Sequence, residues 1–213
     1  MKRIVPALLA LAAAGAATAE PVNPKAVIKT DAGDITVELY PDQAPEAVKN
    51  FIALATGTKG WTDPNTGEAV TSRPLYNGTK FHRTIQDFMI QGGDPAGTGS
   101  GKVGFTLNKV EIAPNLRFDK PGRLAMANIG GNPASASSQF FITDVPTPHL
   151  DPNPRSAYTI FGQVVEGMEV VRKISTAPII PGTDKPQSPV TIKVIEILES
   201  KTASADKATT GTK

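Results

Sequence analysis

The chain lacks cysteine and has only two histidines, His82 and His149, among its 213 residues. Without cysteine it forms no disulfide, so its folding is indifferent to the redox state of its compartment. Two histidines are too few for a histidine-rich metal site. These absences leave little material for the usual covalent and metal-dependent mechanisms of catalysis.

The first residues have the pattern of a targeting segment. A cationic start at 1–3 precedes an apolar, alanine-rich run at 4–17, and Ala17-Thr18-Ala19 is a small-x-small cleavage site. The apolar run contains Pro6 and is shorter than the ~20 residues that span a bilayer, and no later segment is apolar enough to span. We therefore predict a secretory signal peptide at residues 1–19 and a soluble, exported, periplasmic mature protein.

Cleavage after Ala19 would change the charge of the chain. The whole chain has 22 basic and 20 acidic residues, a formal net charge of +2. The 22 basic residues less Lys2 and Arg3 leave 20, so the mature chain is neutral, and its composition gives no reason to expect nucleic-acid binding. A chain of 213 residues less 19 is long enough to bury the core of one domain.

Most of the chain follows a strand pattern. Val27–Lys29 and Ile35–Tyr40 flank a turn at 31–33, and alternation in the second run predicts a half-buried hairpin. Val190–Leu198 predicts a last strand. Shorter strand-like pieces, separated by Gly, Pro and Asn clusters, occur around residues 81, 88, 105, 123, 139 and 159. The pattern is typical of an all-β barrel or sandwich, and spacing alone does not choose between them.

Two helices and two loop regions complete the pattern. Pro45–Thr56 predicts a helix with proline in its first turn and Gly57 as its stop. Gly167–Ile174 predicts a second helix with one apolar side. Residues 58–79 are rich in Gly, Thr, Pro and Asn and predict a surface insertion, whereas residues 200–213 lack apolar periodicity and predict a disordered tail.

Three apparent motifs have simpler explanations. Gly99–Gly104 matches G-x-G-x-x-G, but no helical pattern follows that could bind a phosphate at its N-terminus, so we expect a flexible loop. The polar residues of 63–68 fail the spacing of a calcium-binding loop. The serines at 137–138 with His149 and Asp151 lack a nucleophile-elbow sequence.

Two short segments concentrate the chemistry that remains. Residues 81–94, FHRTIQDFMIQGGD, contain Arg83 and Gln91 among apolar side chains, and residues 138–143, SQFFIT, add a second glutamine and two phenylalanines. A forked cation, two carboxamides and a set of apolar rings suit an apolar ring flanked by an amide, which is a prolyl peptide. His82 lies between Phe81 and Arg83 in this segment and is expected to be structural.

Five blocks carry a family resemblance: FHRTIQDFMIQGGD, GTGSGKVG, PGRLAMAN, SSQFFIT and FGQVVEGMEVVRKI. From about Ala26 to Glu199 the chain resembles cyclophilin-type peptidyl-prolyl cis-trans isomerases. The resemblance implies a mainly β fold, a closed eight-stranded antiparallel barrel with one helix over each end, in one domain at 26–199 after a linker at 20–25. It also implies a monomer that needs no cofactor and no metal.

The resemblance assigns roles to individual residues. It implies that Arg83, Gln91 and Asn128 are catalytic, with Arg83 stabilising the twisted amide without a covalent intermediate. Its implied substrate-binding residues line a proline pocket and a peptide groove: Phe88, Met89, Ala127, Gln139, Phe141, His149, Leu150 and Tyr158. Proline-containing peptides and unfolded exported proteins are the implied partners, and assistance to folding is the implied role. Considered singly, the apolar members could be core residues and Arg83 a surface ion-pairing residue.

The chain departs from the family pattern at the rim of the groove. His149 stands where some members have tryptophan, and Tyr158 where many have histidine. Extra residues within 151–156 change the same rim, and the 58–79 insertion adds a loop. These departures bear on substrate preference and on the binding of cyclosporin-like ligands, whereas Arg83 is retained.

Two hypotheses from other classes remain at this stage. A non-catalytic prolyl-peptide-binding module, or holdase chaperone, would use the same groove without accelerating rotation, but retention of Arg83 argues against it. A structural barrel acting through Trp61 and its loop has only that loop in its support.

The signal peptide gives a first testable prediction. Protein recovered from the exported fraction should begin at Glu20 and be lighter by the mass of residues 1–19, because the cleavage site follows Ala19. Intact-mass spectrometry measures this directly. Recovery of the uncleaved chain alone, beginning at Met1, would contradict the prediction.

Overall fold

The computed structural model describes residues 23–107, 109–130, 132–153 and 157–198. The predicted signal peptide and C-terminal tail lie outside these residues. Ten strands and two α-helices are present in the described part: β1 Lys25–Thr30, β2 Asp34–Leu39, α1 Pro45–Thr56, β3 Trp61–Thr62, β4 Ala69–Val70, β5 Arg83–Ile85, β6 Met89–Gly92, β7 Arg123–Met126, β8 Phe140–Thr143, β9 Ile160–Glu166, α2 Met168–Ser175 and β10 Ile192–Leu198. None of the helices there is long and apolar enough to cross a membrane.

The first hairpin forms as its alternation predicts. In β1 and β2 every second residue is buried, including Ile28, Ile35 and Val37, and the two strands pair antiparallel with Ile28 opposite Ile35. The turn closes with the Thr30 amide and hydroxyl both donating to the Gly33 carbonyl, at 3.1 and 2.6 Å. Gly33 has a φ of +136°, which favours glycine at this turn.

Eight strands form one curled antiparallel sheet in the order β10-β1-β2-β9-β7-β8-β6-β5. The sheet is an open half-barrel, so the predicted closed barrel is wrong in this respect. In the described part of the chain, the two edges meet through residues 78–81, which precede β5: Phe81 donates to the Val190 carbonyl at 3.0 Å and Ile192 to the Thr79 carbonyl at 2.8 Å. A continuous ladder is not formed because β5 has only three residues and Pro189, which lacks an N–H, precedes β10.

Helix α1 spans the predicted residues and ends as predicted at Gly57, which has φ +77°. Its Ala44 N-cap has no side-chain hydrogen bond. The Glu111 carboxylate replaces that cap, accepting from the backbone amides of Glu46 and Ala47 at 3.0 Å each. A buried carboxylate from a distant loop therefore satisfies the free amides at the positive end of the helix.

The other helix and the insertion also differ little from expectation. Helix α2 spans Met168–Ser175 and buries Val171 and Ile174. The insertion carries a small hairpin, β3–β4, and Trp61 in it is buried with only 6% exposure. A buried Trp61 cannot act as an exposed binding side chain, and the predicted strand near residue 105 is not formed.

Side-chain alternation in the central strands separates two apolar clusters. Ile90, Leu124 and Phe140 point into the main core, where the Phe140 ring meets Phe51 edge-on at 5.6 Å between centroids. Their sequence neighbours belong to a second cluster on the other face of the sheet: Met89, Ala125 and Phe141, with Phe118, Ala127 and Ile160. Strands β6, β7 and β8 thus hold one apolar set for the core and another for the opposite face.

The Glu111 contact gives a stability prediction. Glu111→Ala should lower the free energy of unfolding by about 1–3 kcal/mol, because two helix amides would lose their charged acceptor. Urea unfolding followed by circular dichroism measures the change. Glu68→Ala is the control. Glu68 is exposed and lies in a loop, so this substitution removes the same charge without removing a helix cap. Equal stability of the Glu111 variant and the wild type would contradict the capping role.

Candidate active site

A row of paired residues crosses the face of the sheet opposite the main core. Arg83 on β5 pairs with Gln91 on β6, Gln91 pairs with Phe141 on β8, and Phe141 pairs with Ala125 on β7. Because directly paired residues project to the same face, the cation, the amide and the aromatic ring lie side by side.

These residues open into a small cleft of about 80 Å³. Nine of the residues predicted from the sequence line it: Arg83, Phe88, Met89, Gln91, Ala127, Asn128, Phe141, Leu150 and Tyr158. Gln139 lies next to it and bonds to Gln91, and His149 lies at the rim. The structure therefore brings all of the predicted site residues into one region.

Aromatic rings build the apolar side of the cleft. Tyr158 meets Phe141 edge-on, with centroids 5.5 Å apart and an angle of 88°. Phe118 stacks on Phe141 at 5.9 Å and is fully buried. Phe118 supports the cleft from behind, and sequence reasoning missed it because a single phenylalanine between charged residues carries no distinguishing signal.

A chain of polar contacts runs along the other side of the cleft. Arg83 Nη1 lies 3.5 Å from Gln91 Oε1, Gln91 Nε2 donates to Gln139 Oε1 at 2.9 Å, and Gln139 Nε2 donates to the Gly99 carbonyl at 3.1 Å. The orientation of each amide is thus fixed by the next. The chain links the guanidinium to the glycine-rich loop.

The two polar atoms of the Asn128 side chain differ in their hydrogen bonding. Its Nδ2 donates to the Ala157 carbonyl at 2.8 Å. Its Oδ1 is buried without a hydrogen-bond partner among the described residues. The Nδ2 bond therefore holds the Asn128 side chain at the wall of the cleft, while Oδ1 is out of contact with solvent.

Beside the small cleft lies a larger groove of about 700 Å³. Gln91, Ala127 and Asn128 line both spaces, and Gln139 and the 99–106 loop line only the larger one. The G-x-G-x-x-G match therefore forms the wall of a groove, as a loop without a following helix.

Asp94 organises this glycine-rich loop, a role that was not predicted from the sequence. Its fully buried carboxylate accepts from four backbone amides, those of Ala96, Thr98, Gly99 and Gly101, at 2.6–3.2 Å. A Cβ at Gly101 would overlap this carboxylate, so glycine is required there. An aspartate directly before a glycine-rich run is the signal that could have found it.

The alternative sites considered for the sequence have other roles. Ser138 is buried and donates to the Gly93 carbonyl, and Asp151 accepts from the Phe118 amide at 2.8 Å, so neither belongs to a triad. Asp63 accepts from Asn65 within a turn and pairs with Arg73. The described residues contain no group of three or more His, Cys, Asp or Glu side chains that could hold a metal ion.

Comparison with known proteins decides the family. Residues 25–197 match the family described as cyclophilin type peptidyl-prolyl cis-trans isomerase/CLD. The chain is 46% identical to peptidyl-prolyl cis-trans isomerase B of Streptomyces anulatus, over 81% of this chain and 95% of that protein. It is 47% identical to peptidyl-prolyl cis-trans isomerase A of Mycobacterium tuberculosis, over 81% and 91%.

This chain belongs to the cyclophilin-type peptidyl-prolyl cis-trans isomerase family. Its enzyme class is that of the prolyl isomerases. Among solved structures it is similar to a cyclophilin-type isomerase of Cryptosporidium parvum, with a TM-score of 0.69 and 34% identity over 84% of this chain and 99% of that one. A second crystal structure of that protein, with the dipeptide Ala-Pro present, gives a TM-score of 0.67 and 35% identity, over 83% of this chain and 99% of that one.

Of the two positions at which the resemblance implies a departure from the family pattern, His149 lies at the rim and Tyr158 lines the cleft. The exposed His149 ring packs against Phe88, with centroids 5.3 Å apart and an angle of 36°. The Tyr158 ring packs on Phe141. Both positions therefore contribute ring surface next to the cleft, and His149 covers less apolar area there than tryptophan would.

His82, next to the catalytic candidate Arg83, is buried behind the glycine-rich loop. Neither ring nitrogen makes a hydrogen bond of good geometry among the described residues, although the Lys80 backbone lies near. Burial lowers the pKa of the His82 imidazole below its ordinary value of 6.5, and the negative charge of Asp94 acts in the opposite direction to a smaller extent. Burial therefore disfavours the protonated form of His82 in the fold.

This gives a prediction for pH. A folded pKa below the unfolded value means that the unfolded chain binds more protons, so stability is full above about pH 6.5 and falls as the pH drops below it. Below that pH the free energy of unfolding should fall by at most about 1.4 kcal/mol per pH unit. Denaturant unfolding at pH 7.5 and 5.5 should show a smaller loss for His82→Gln than for wild type, with His149→Gln as the control for the other histidine. An equal loss in wild type and His82→Gln would show that another group is responsible.

Proposed function

We propose that the chain accelerates cis–trans rotation about X-Pro bonds in exported polypeptides and so assists their folding, without a covalent intermediate. The observation that carries this proposal is the position of the Arg83 guanidinium at the edge of a small aromatic cleft beside a longer polar groove. Family membership supports the reaction, and the geometry of the cleft supports the roles of individual residues.

The reaction requires weakening of amide conjugation. The C–N bond has partial double-bond character, which gives rotation a barrier of about 18–20 kcal/mol. In the twisted state the prolyl nitrogen regains a localised lone pair. A hydrogen-bond donor aimed at that nitrogen therefore stabilises the twisted state more than the planar ground state, and differential stabilisation accelerates rotation.

Arg83 is suited to be this donor. Its guanidinium stays charged at all physiological pH values and presents several N–H groups in a rigid plane. It lies at the edge of the cleft, where its side chain is 40% exposed, and Gln91 contacts Nη1 from the side. A bound prolyl nitrogen next to this plane would meet a fixed donor.

The small cleft fits the proline ring. Its volume of about 80 Å³ is small beside the 700 Å³ of the adjoining groove, so the cleft suits a compact ring and the groove suits extended chain. Its apolar side chains remove that ring from water: Phe88, Met89, Phe141, Leu150 and Tyr158. A held ring leaves the preceding carbonyl as the part that rotates.

The larger groove suits the chain that flanks the proline. Gln91, Ala127, Asn128 and Gln139 line it where it joins the cleft. The Asn128 Oδ1 has no partner within the described part of the chain and would accept a peptide N–H once a turn of the side chain exposes it to the groove. The Ala-Pro dipeptide named with the Cryptosporidium parvum structure supports a prolyl peptide as the ligand class.

The place of action rests on the sequence. The cationic start, the apolar run and Ala17-Thr18-Ala19 support export and a periplasmic location. Unfolded exported polypeptides would then be the clients. Uncatalysed X-Pro exchange takes tens to hundreds of seconds, slow enough to limit their folding. Rim residues His149 and Tyr158 would set the affinity for cyclosporin-like ligands.

The central prediction concerns Arg83. Arg83→Ala should lower kcat/KM for a short Ala-Pro peptide by about 100-fold or more, because removal of a transition-state donor costs about that much. Arg83→Lys keeps the charge but lacks the planar fork, so it should be intermediate. Cis-to-trans relaxation of the peptide measures the rates.

The control is Arg73→Ala, an exposed arginine in the insertion that is outside both the cleft and the groove. It should retain wild-type activity. Thermal unfolding must show that Arg83→Ala is folded. Folded wild type that binds the peptide without accelerating its rotation would instead establish a non-catalytic prolyl-binding module or holdase.

A further inference from the structure

We infer that Asp184 is a positioning residue for Arg83, holding the guanidinium plane toward the proline cleft. This rests on the proposed role of Arg83. Asp184 lies in the loop between α2 and β10, 101 residues away in the chain, and its Oδ2 accepts from Arg83 Nε at 3.0 Å.

The contact with Asp184 is made at Nε, and the two terminal nitrogens of Arg83 differ in their surroundings. Arg83 Nε donates to Asp184, and Nη1 faces Gln91 Oε1 at 3.5 Å and Met89 Sδ at 4.0 Å. Nη2 has no hydrogen-bond acceptor within the described residues. Contacts at Nε and Nη1 fix the plane from two sides, which leaves the Nη2 donors for a ligand.

Asp184 is itself held in place by the backbone. Its carbonyl accepts from the Thr84 amide at 2.9 Å, next to Arg83 on β5. The loop is closed on itself, with the Ile180 amide donating to the Lys185 carbonyl at 2.8 Å and the Lys185 amide donating to the Thr183 hydroxyl at 3.2 Å. The backbone that carries the carboxylate is therefore already in position before a substrate arrives.

The Arg83–Asp184 ion pair contributes little to the stability of the fold. Both side chains are substantially exposed, Arg83 at 40% and Asp184 at 48%. Exposed ion pairs contribute little to folding because water and salt screen the charges and the two side chains lose rotamer freedom. The same loss of freedom is useful when one partner must hold a donor at a fixed angle.

A role in orientation predicts a particular kinetic pattern. Asp184→Ala should lower kcat about three- to tenfold for an Ala-Pro peptide and change KM less than twofold, since the proline cleft is intact while the donor is mobile. Asp184→Asn retains an oxygen acceptor for Nε and should recover most of the loss. Peptide exchange measured by NMR as a function of concentration separates kcat from KM.

A spectroscopic readout follows the guanidinium directly. In ¹⁵N spectra the Arg83 Nε–Hε group should show a shifted resonance and faster internal motion in Asp184→Ala, and near wild-type values in Asp184→Asn. Glu196→Gln is the matched control, because Lys29 and Glu196 form an ion pair of similar exposure, 38% and 46%, at 2.7 Å between β1 and β10. Its kinetics and the Arg83 signal should not change.

A double-mutant cycle decides whether Asp184 acts through Arg83. In the Arg83→Ala background, Asp184→Ala should have no further effect on kcat. Wild-type kcat in Asp184→Ala, or an equal loss in both backgrounds, would overturn the inference while leaving the proposed role of Arg83 intact. Wild-type activity in Arg83→Ala would instead overturn the role of Arg83 and the inference with it.

Discussion

The two-residue alternation of β6, β7 and β8 is the constraint on which the rest of the structure depends. Along each of these strands, neighbouring apolar side chains point alternately into the main core and to the opposite face, as Phe140 and Phe141 do. A shift of one residue in register would exchange the two sets. The core and the cleft are therefore specified together, and neither can be rebuilt without the other.

The site combines a rigid apolar side with a polar side that is fixed by mutual contacts. Phe118 and Tyr158 pack on the Phe141 ring, so the shape of the aromatic wall is set by the fold. On the other side, the chain from Arg83 through Gln91 to Gln139 ends at the loop that Asp94 organises. Preorganisation of this kind suits a reaction that needs a fixed donor and no bond-making.

Several of the interactions that hold the site in place join distant parts of the chain. Glu111 caps α1 from about 65 residues away, and Asp184 meets Arg83 from 101 residues away. Glu111 satisfies two backbone donors, and Asp184 orients the guanidinium. Neither role depends on the free energy of an ion pair. Mutations in these loops would therefore affect the site without touching a ligand.

The sequence by itself determined the local elements and supplied the candidate site residues. The ends of α1, the first hairpin and the alternation in Ile35–Tyr40 depend on caps, turns and periodicity, which are local properties, and family motifs pointed to Arg83 and its neighbours. The tertiary structure alone decided the open edge of the sheet, the support from Phe118 and the pairing of Arg83 with Asp184. These depend on which distant segments meet in space, and residue spacing along the chain carries no signal for such contacts.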